Sequence, residues 1–236
     1  MKKQTVLIAG ASRGLGLCFT RKYLEDGWLV LAGVRNSDDV QLKELVSRYP
    51  DTCILLPMDV TDTASIEKAA ALAGEKAAHI DLIINNAGIH AESSFEVLEK
   101  ADLDDCLMVY DVNAVGPLRV VKAFLPMLSQ SESGLIVNIS SESGSISNAG
   151  REKEFDYCMS KAALNMGTKL LDNYLCKRGI KVIAVHPGWM RTDMGGANAE
   201  LDPYETACRL AELFAKVDRN NREVTFMDNT GKVFPW

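Results

Sequence analysis

The sequence contains no C-x-x-C pair, no block of basic residues, no internal repeat and no uninterrupted apolar run of about 18 residues or more. Each absence removes a class of protein. The six cysteines, Cys18, Cys53, Cys106, Cys158, Cys176 and Cys208, have neither zinc-site nor redox-motif spacing, and their apolar or helical surroundings predict buried, reduced thiols. The three histidines, His79, His90 and His186, share no metal-ligand spacing, so no metal is assigned. A net charge of -6 without any cationic stretch argues against nucleic acid or an anionic membrane as partner and favours a small-molecule substrate. Met1-Lys2-Lys3-Gln4 leads directly into a strand-like run with no apolar signal region, so no membrane segment is expected and a cytoplasmic location is.

What is present is enough apolar sequence, 47% of 236 residues, to bury one large core, and a single domain over 1–236 is the expected organisation. Strand-like and helix-like patterns alternate along it. Residues 5–10, 28–34, 53–60, 80–84, 134–140, 180–185 and 223–226 read as strands, and 17–26, 41–49, 62–78, 104–128, 157–178 and 203–217 as helices. Such alternation predicts an α/β fold: a Rossmann-type, doubly wound parallel sheet with helices on both faces.

Polar signals collect at the ends of the predicted strands. Gly10-Ala11-Ser12-Arg13-Gly14-Leu15-Gly16 joins the first strand to the first helix, which aims backbone N–H groups and a helix N-terminus at a phosphate. Its spacing is not the usual G-x-G-x-x-G, and glycines also serve tight turns. The second strand ends in Val34-Arg35-Asn36-Ser37, without the carboxylate that would take a ribose 2'-hydroxyl. Arg35, with Arg13 in the glycine loop, suits a 2'-phosphate and favours NADP over NAD, although Asp38 and Asp39 follow closely and both arginines would also serve as solvated surface. Asp59-Val60 ends the third strand, and Asn85-Asn86-Ala87-Gly88 follows the fourth, either as a turn or at the edge where open α/β sheets bind ligands. Asn113 sits in the middle of a long helix, where an amide needs solvent or a specific partner. Ser140, Ser141 and Ser143 end the fifth strand, and Pro187-Gly188-Trp189 opens an abrupt loop after the sixth.

Tyr157 and Lys161 are four apart on a predicted helix and therefore share a face. An ammonium near a phenol favours the phenolate, so the tyrosine is expected to titrate below its usual value of about 10. An exposed helix face accounts for the pair equally well. Asp156, adjacent in sequence, would oppose that ionisation.

In this order, the glycine loop, Asp59-Val60, Asn86-Ala87-Gly88, Asn113, the serine loop, Tyr157 with Lys161, and Pro187 through Thr192 resemble the short-chain dehydrogenase/reductase family over nearly the whole chain. More narrowly, His186-Pro187-Gly188-Trp189, Thr192-Asp193-Met194-Gly195-Gly196 and residues 231–236 are similar to sniffer-like carbonyl reductases and C-factor-type proteins. The resemblance implies an NADPH-dependent reductase of aldehydes or ketones. It assigns Tyr157 as general acid/base, Lys161 to lowering its pKa and holding the nicotinamide ribose, Ser141 to the substrate oxygen and Asn113 to a water relay. Ser140 and Ser143 stay open as rivals, because sixteen positions from Ser141 to Tyr157 exceed the commoner spacing. For the cofactor it implies Gly10, Ser12, Arg13, Leu15 and Gly16 at the phosphates, with Gly14 needed for the turn. Asp59 and Val60 would meet the adenine, Asn86, Ala87 and Gly88 the adenosine ribose, and Pro187, Gly188, Trp189 and Thr192 the nicotinamide end. The substrate pocket is expected from the serine loop, the stretch around Phe155 and residues 189–198. A homodimer is expected from family habit and from the small residues Ala162, Ala163 and Gly167 on a long helix. The alternatives are an NADP(H)-binding regulatory protein with little turnover and a reductase of carrier-bound 3-ketoacyl groups.

Overall fold

Thr5–Ala9 (β1) buries every side chain, which a strand can do only when both faces of its sheet are covered. Its residues alternate between two cores. Val6 and Ile8 pack with Phe19, Leu210 and Phe214 on one side; Leu7 and Ala9 pack with Ile66, Val120 and Phe124 on the other. The computed structural model describes residues 3–36, 38–129, 131 and 134–236; Met1, Lys2 and Ser37, named above, lie outside the described residues.

The remaining elements follow in the expected alternation: α1 (Gly14–Glu25), β2 (Leu29–Val34), α2 (Val40–Arg48), β3 (Cys53–Pro57), α3 (Thr63–Lys76), β4 (Leu82–Asn85), α4 (Asp105–Tyr110), α5 (Gly116–Leu128), β5 (Leu135–Ile139), α6 (Phe155–Leu175), β6 (Lys181–His186), α7 (Pro203–Lys216) and β7 (Phe226–Asp228). All strands pair in parallel in one seven-stranded sheet of order β3-β2-β1-β4-β5-β6-β7. This is a Rossmann-like sheet. Successive strands step outward from β1 in one direction and then, from β4, in the other, so a crevice opens at the carboxyl ends of β1 and β4.

Three expectations need correction. The helix expected over 104–128 is interrupted by a π-helical turn, Asp111–Val115, with Asn113 at its centre. The last strand is Phe226–Asp228 and not 223–226, because the Asn221 side chain accepts the N–H groups of Glu223 (2.9 Å) and Val224 (3.3 Å) and holds that stretch as a turn. All six cysteines are free, but only Cys53 is buried; the other five are half-buried on helices. Among the described residues, no helix is long and apolar enough to cross a membrane, and no cluster of three or more His, Cys, Asp or Glu could hold a metal ion.

Candidate active site

A cavity of about 780 Å³ runs along the carboxyl edge of the sheet. Of the residues the sequence singled out as catalytic or cofactor-binding, all but Gly16 and Asn113 line it.

Its β1 end is made of backbone. Gly10 has φ +83°, and a Cβ there would lie 2.8 Å from the Ala87 main chain; one on Gly16 would lie 2.0 Å from the Gly10 carbonyl oxygen. This close approach is fixed by hydrogen bonds from Asn86 Nδ2 to Gly10 O (2.9 Å) and from Ala87 N to Ala9 O (2.8 Å). Gly16 and the Asn86 amide therefore build the loop from behind. The first turn of α1 has no side-chain cap and no acidic residue, so its N–H groups are available to an anion in the cavity lined by Ser12, Arg13, Gly14 and Leu15.

Two guanidiniums flank that end. Arg35 is exposed at the tip of β2, and Arg13 reaches Asp193 at 3.1 Å across the mouth of the cavity. The nearby carboxylates have other partners. Asp38 pairs with Lys43 (3.0 Å), and Asp39 caps α2 by accepting the Leu42 N–H (2.9 Å); neither lines the cavity. Asp59 turns its carboxylate onto the N–H (2.9 Å) and hydroxyl (2.7 Å) of Thr61, where β3 gives way to α3.

The other end carries the polar side chains. Lys161 lies only 4% exposed on α6, its Nζ donating to Ile139 O (2.8 Å) and standing 5.5 Å from the Tyr157 ring centroid. Burial pushes the Lys161 ammonium down to about 8. Burial also pushes the Tyr157 phenol up to about 12, with the Ser141 hydroxyl pulling the other way. The expected fall in the tyrosine's pKa is thus not found in the protein by itself. Desolvation of the phenolate outweighs its neighbours, and the cation acting on Tyr157 is Arg151.

The serines separate clearly. Ser140, buried, donates to Asn165 Oδ1 (2.6 Å) and anchors β5 to α6. Ser141 is the one that acts on the Tyr157 phenol, favouring its ionisation, and its hydroxyl donates to Ser143 Oγ (3.0 Å). Asn113 is fully buried and its amide is heavily used: Nδ2 donates to Ile89 O (2.8 Å) and Ser160 Oγ (2.9 Å), while Oδ1 accepts the Ile89 N–H (2.8 Å). This gives the mid-helix asparagine its partner, pinning the chain after β4 to α6; a side-chain contact to water is left only the second lone pair of Oδ1.

Asp156 does not act on the tyrosine. It is buried and turned away, accepting from Ala91 N (2.8 Å) and Ser94 Oγ (2.7 Å); the carboxylate that opposes Tyr157 ionisation is Glu154. Nor does Phe155 line the cavity, since the wall there is Arg151 and Glu154. His90 and Phe95, in the segment after β4, and His186, at the end of β6, also line it and were missed as site residues. For His186 the available signal was its place at the carboxyl end of β6. His186 is held neutral by burial, and its Nδ1 accepts the Glu142 N–H (3.1 Å).

A parallel sheet with a glycine-lined, uncapped helix N-terminus at its switch point and Tyr157, Lys161 and Ser141 grouped in the same cavity is a Rossmann-like arrangement. The short chain dehydrogenase family model matches residues 4–202, and the chain belongs to that family, whose members bind a nicotinamide cofactor. An NADPH-bound carbonyl reductase from chicken fatty liver superposes with a TM-score of 0.90 at 33% identity, covering 100% of both chains. The carbonyl reductase Sniffer of D. melanogaster gives 0.91 at 27% identity, again over 100% of both. The C-signal protein of Myxococcus xanthus is 34% identical over 159 residues, 66% of this chain and 93% of that one.

Proposed function

We propose that the protein is an NADPH-dependent reductase of aldehydes or ketones, acting through Tyr157. The observation that carries this reading is that Tyr157 shares one cavity with Ser141, a buried Lys161 whose Nζ stands 5.5 Å from the phenol ring centroid, and the glycine loop. When bound, the cofactor supplies the hydride. A phenol whose pKa is raised keeps its proton at neutral pH and can deliver it to the carbonyl oxygen as charge develops there, so the site is better suited to reduction than to oxidation. Ser141 steadies the same oxygen. Lys161 would hold the nicotinamide ribose, and Asn113 keeps α6 and the segment after β4 in register.

The anion cradle of Gly10 to Leu15 suits the pyrophosphate. Arg13 and Arg35, both lining the cavity and with no carboxylate at the tip of β2, support NADPH over NADH, and Asp59, Val60, Asn86, Ala87 and Gly88 suit the adenosine half. Pro187, Gly188, Trp189 and Thr192 line the nicotinamide end. Ile139, Phe95, Trp189 and Met194 give the substrate end an apolar wall, and the one arginine there, Arg151, is already engaged by Glu142 and Glu154. Those contacts favour an uncharged carbonyl compound over a substrate anchored by its own anion, and they count against a carrier-bound acyl group.

A second copy of the chain is the proposed partner. Met159, Met166, Leu170 and Tyr174 form an exposed apolar stripe along α6, continued by Leu118 of α5, which lies beside Gly167, and by Leu107 and Tyr110 of α4. The single sheet supports one domain over 1–236, and six free cysteines suit a reducing, cytoplasmic compartment. The likeness to C-signal supports a second reading, a cofactor-binding regulator with little turnover. A titration with NADPH and NADH followed by a panel of aldehydes and ketones decides between them. NADPH oxidation with a reactive carbonyl is expected; tight NADPH binding with no turnover across the panel would select the regulator.

A further inference from the structure

Between the serine loop and α6 lies a charged stretch, of which Arg151 and Glu154 line the cavity together with Glu142. Both terminal nitrogens of Arg151 are engaged by carboxylates: Nη2 meets Glu142 at 2.7 Å, and Nη1 meets Glu154. Glu142 directly follows Ser141. Glu154 directly precedes α6, and among the described residues it is the only one other than glycine with a left-handed backbone, φ 62°. Side-chain-bearing residues hold that conformation only when their surroundings demand it, and such strain gathers at functional sites. Here the surroundings are visible. The Glu154 N–H donates to Ser94 O (2.8 Å), its carbonyl accepts the Cys158 N–H (2.8 Å), and its carboxylate is taken by Arg151.

We propose that Arg151 is a positioning residue that ties the serine loop to the first turn of α6 and balances the carboxylates facing the Tyr157 hydroxyl. The inference rests on Tyr157 being the proton donor.

The titratable and polar groups that share the cavity with Tyr157 or adjoin it in sequence come from every neighbouring element. On its own helix are Glu154 before it, Cys158 and Lys161; from the serine loop come the Ser141 hydroxyl and, beyond it, Glu142. From β6 comes His186, neutral and tied to the Glu142 N–H, and from the segment after β4 comes His90, whose Nδ1 lies 2.9 Å from Ala91 O. Asp156 is turned away into Ala91 and Ser94. Within this set Glu154 opposes ionisation of the phenol and Arg151 favours it. Neutralising one should therefore move the tyrosine in the opposite direction from neutralising the other. A residue that merely stabilised the fold would not produce opposite signs.

The test measures two quantities in wild type, Arg151→Gln, Arg151→Lys and Glu154→Gln. The first is the onset of phenolate absorbance in the cofactor-free protein, each read against the same background carrying Tyr157→Phe, within the pH range where circular dichroism shows the fold intact. The second is the alkaline fall of kcat/KM for carbonyl reduction with NADPH. Glu154→Gln should move both to lower pH and Arg151→Gln both to higher pH, each by roughly half a pH unit, while Arg151→Lys keeps the wild-type position. Should Arg151→Gln not fold, the downward shift in Glu154→Gln carries the test. Shifts of the same sign, or none, in proteins whose turnover Tyr157→Phe still abolishes would overturn the role of Arg151 and leave the proposed function standing. Turnover that survives Tyr157→Phe would overturn the proposed function instead.

Discussion

At the β1 end of the cavity the wall is backbone, packed so tightly that a single added carbon would strike a carbonyl oxygen, whereas at the β5 and β6 end it is side chains, carried by α6 and by loops. Gly16 illustrates the first, with 2.0 Å between its missing Cβ and Gly10 O. Trp189 illustrates the second: it is 55% exposed, and its side chain makes one hydrogen bond, from its indole N–H to Gly195 O (2.8 Å). A site that grips an invariant polyanion can be built from N–H groups, which no substitution changes, provided the residues in front of them stay small. A site that selects one carbonyl compound among many has to be built from side chains, and these can change without disturbing the sheet beneath. The two ends should therefore respond to mutation in different ways.

The largest effect belongs to the backbone end. Gly16→Ala should abolish NADPH binding and destabilise the fold by about 3 kcal/mol, because the loop and the turn at Asn86 cannot both keep their places. A fluorescence titration with NADPH and a thermal melt read both quantities. A native melt with unchanged affinity would show that the loop is looser than its contacts imply.

Next come the serines. Ser141→Ala should lower kcat about 100-fold with NADPH affinity unchanged, while Ser140→Ala frees Asn165 and costs about 1 kcal/mol of stability with a smaller loss of rate. The reverse pattern would make Ser140 the group at the substrate oxygen. Smaller again is the effect of the two guanidiniums: Arg13→Ala and Arg35→Ala should each weaken NADPH binding about 10-fold and leave NADH binding unchanged. Equal losses for both cofactors would mean that these arginines are general features of the surface. Asp193, paired with Arg13, gives that comparison a control on the opposite side of the cavity.

The last effect concerns Lys161 and is read as stability against pH. Its ammonium is depressed to about 8 in the fold, below the ordinary lysine value, so its burial costs stability while it is charged at lower pH. That cost is relieved as pH rises from about 8 toward the unfolded value of 10.5. The melting temperature of wild type should thus rise relative to Lys161→Met over that window, by up to about 10 °C. A difference that stays flat or runs the other way would show that the ammonium is better solvated than its surroundings indicate.

The alternation of strands and helices was legible because strands such as Leu7-Ile8-Ala9 and Ile83-Ile84 are buried on both faces, which leaves an unbroken apolar run. The placement of polar residues at strand ends was legible for the same reason: an apolar run must stop where the chain leaves the sheet. Three things were not legible. The π-helical turn at Asn113 depends on Ile89 and Ser160, which are remote in sequence. The direction of the Tyr157 shift depends on burial, which no spacing reveals. That Glu154 and not Asp156 acts on the tyrosine depends on one left-handed backbone angle and on two donors remote in sequence that engage the aspartate, the Ala91 N–H and the Ser94 hydroxyl. His90 and Phe95 escaped notice because the chain between Gly88 and α4 has no periodic pattern to orient it.

The most direct measurement sets the two ends against each other in one variant. In Tyr157→Phe, NADPH affinity and carbonyl turnover are measured on the same preparation. Turnover lowered about 1000-fold with affinity unchanged is the expected result, since the phenol's proton is removed and the backbone cradle is untouched. Turnover within about threefold of wild type would contradict the assignment of Tyr157 as the proton donor.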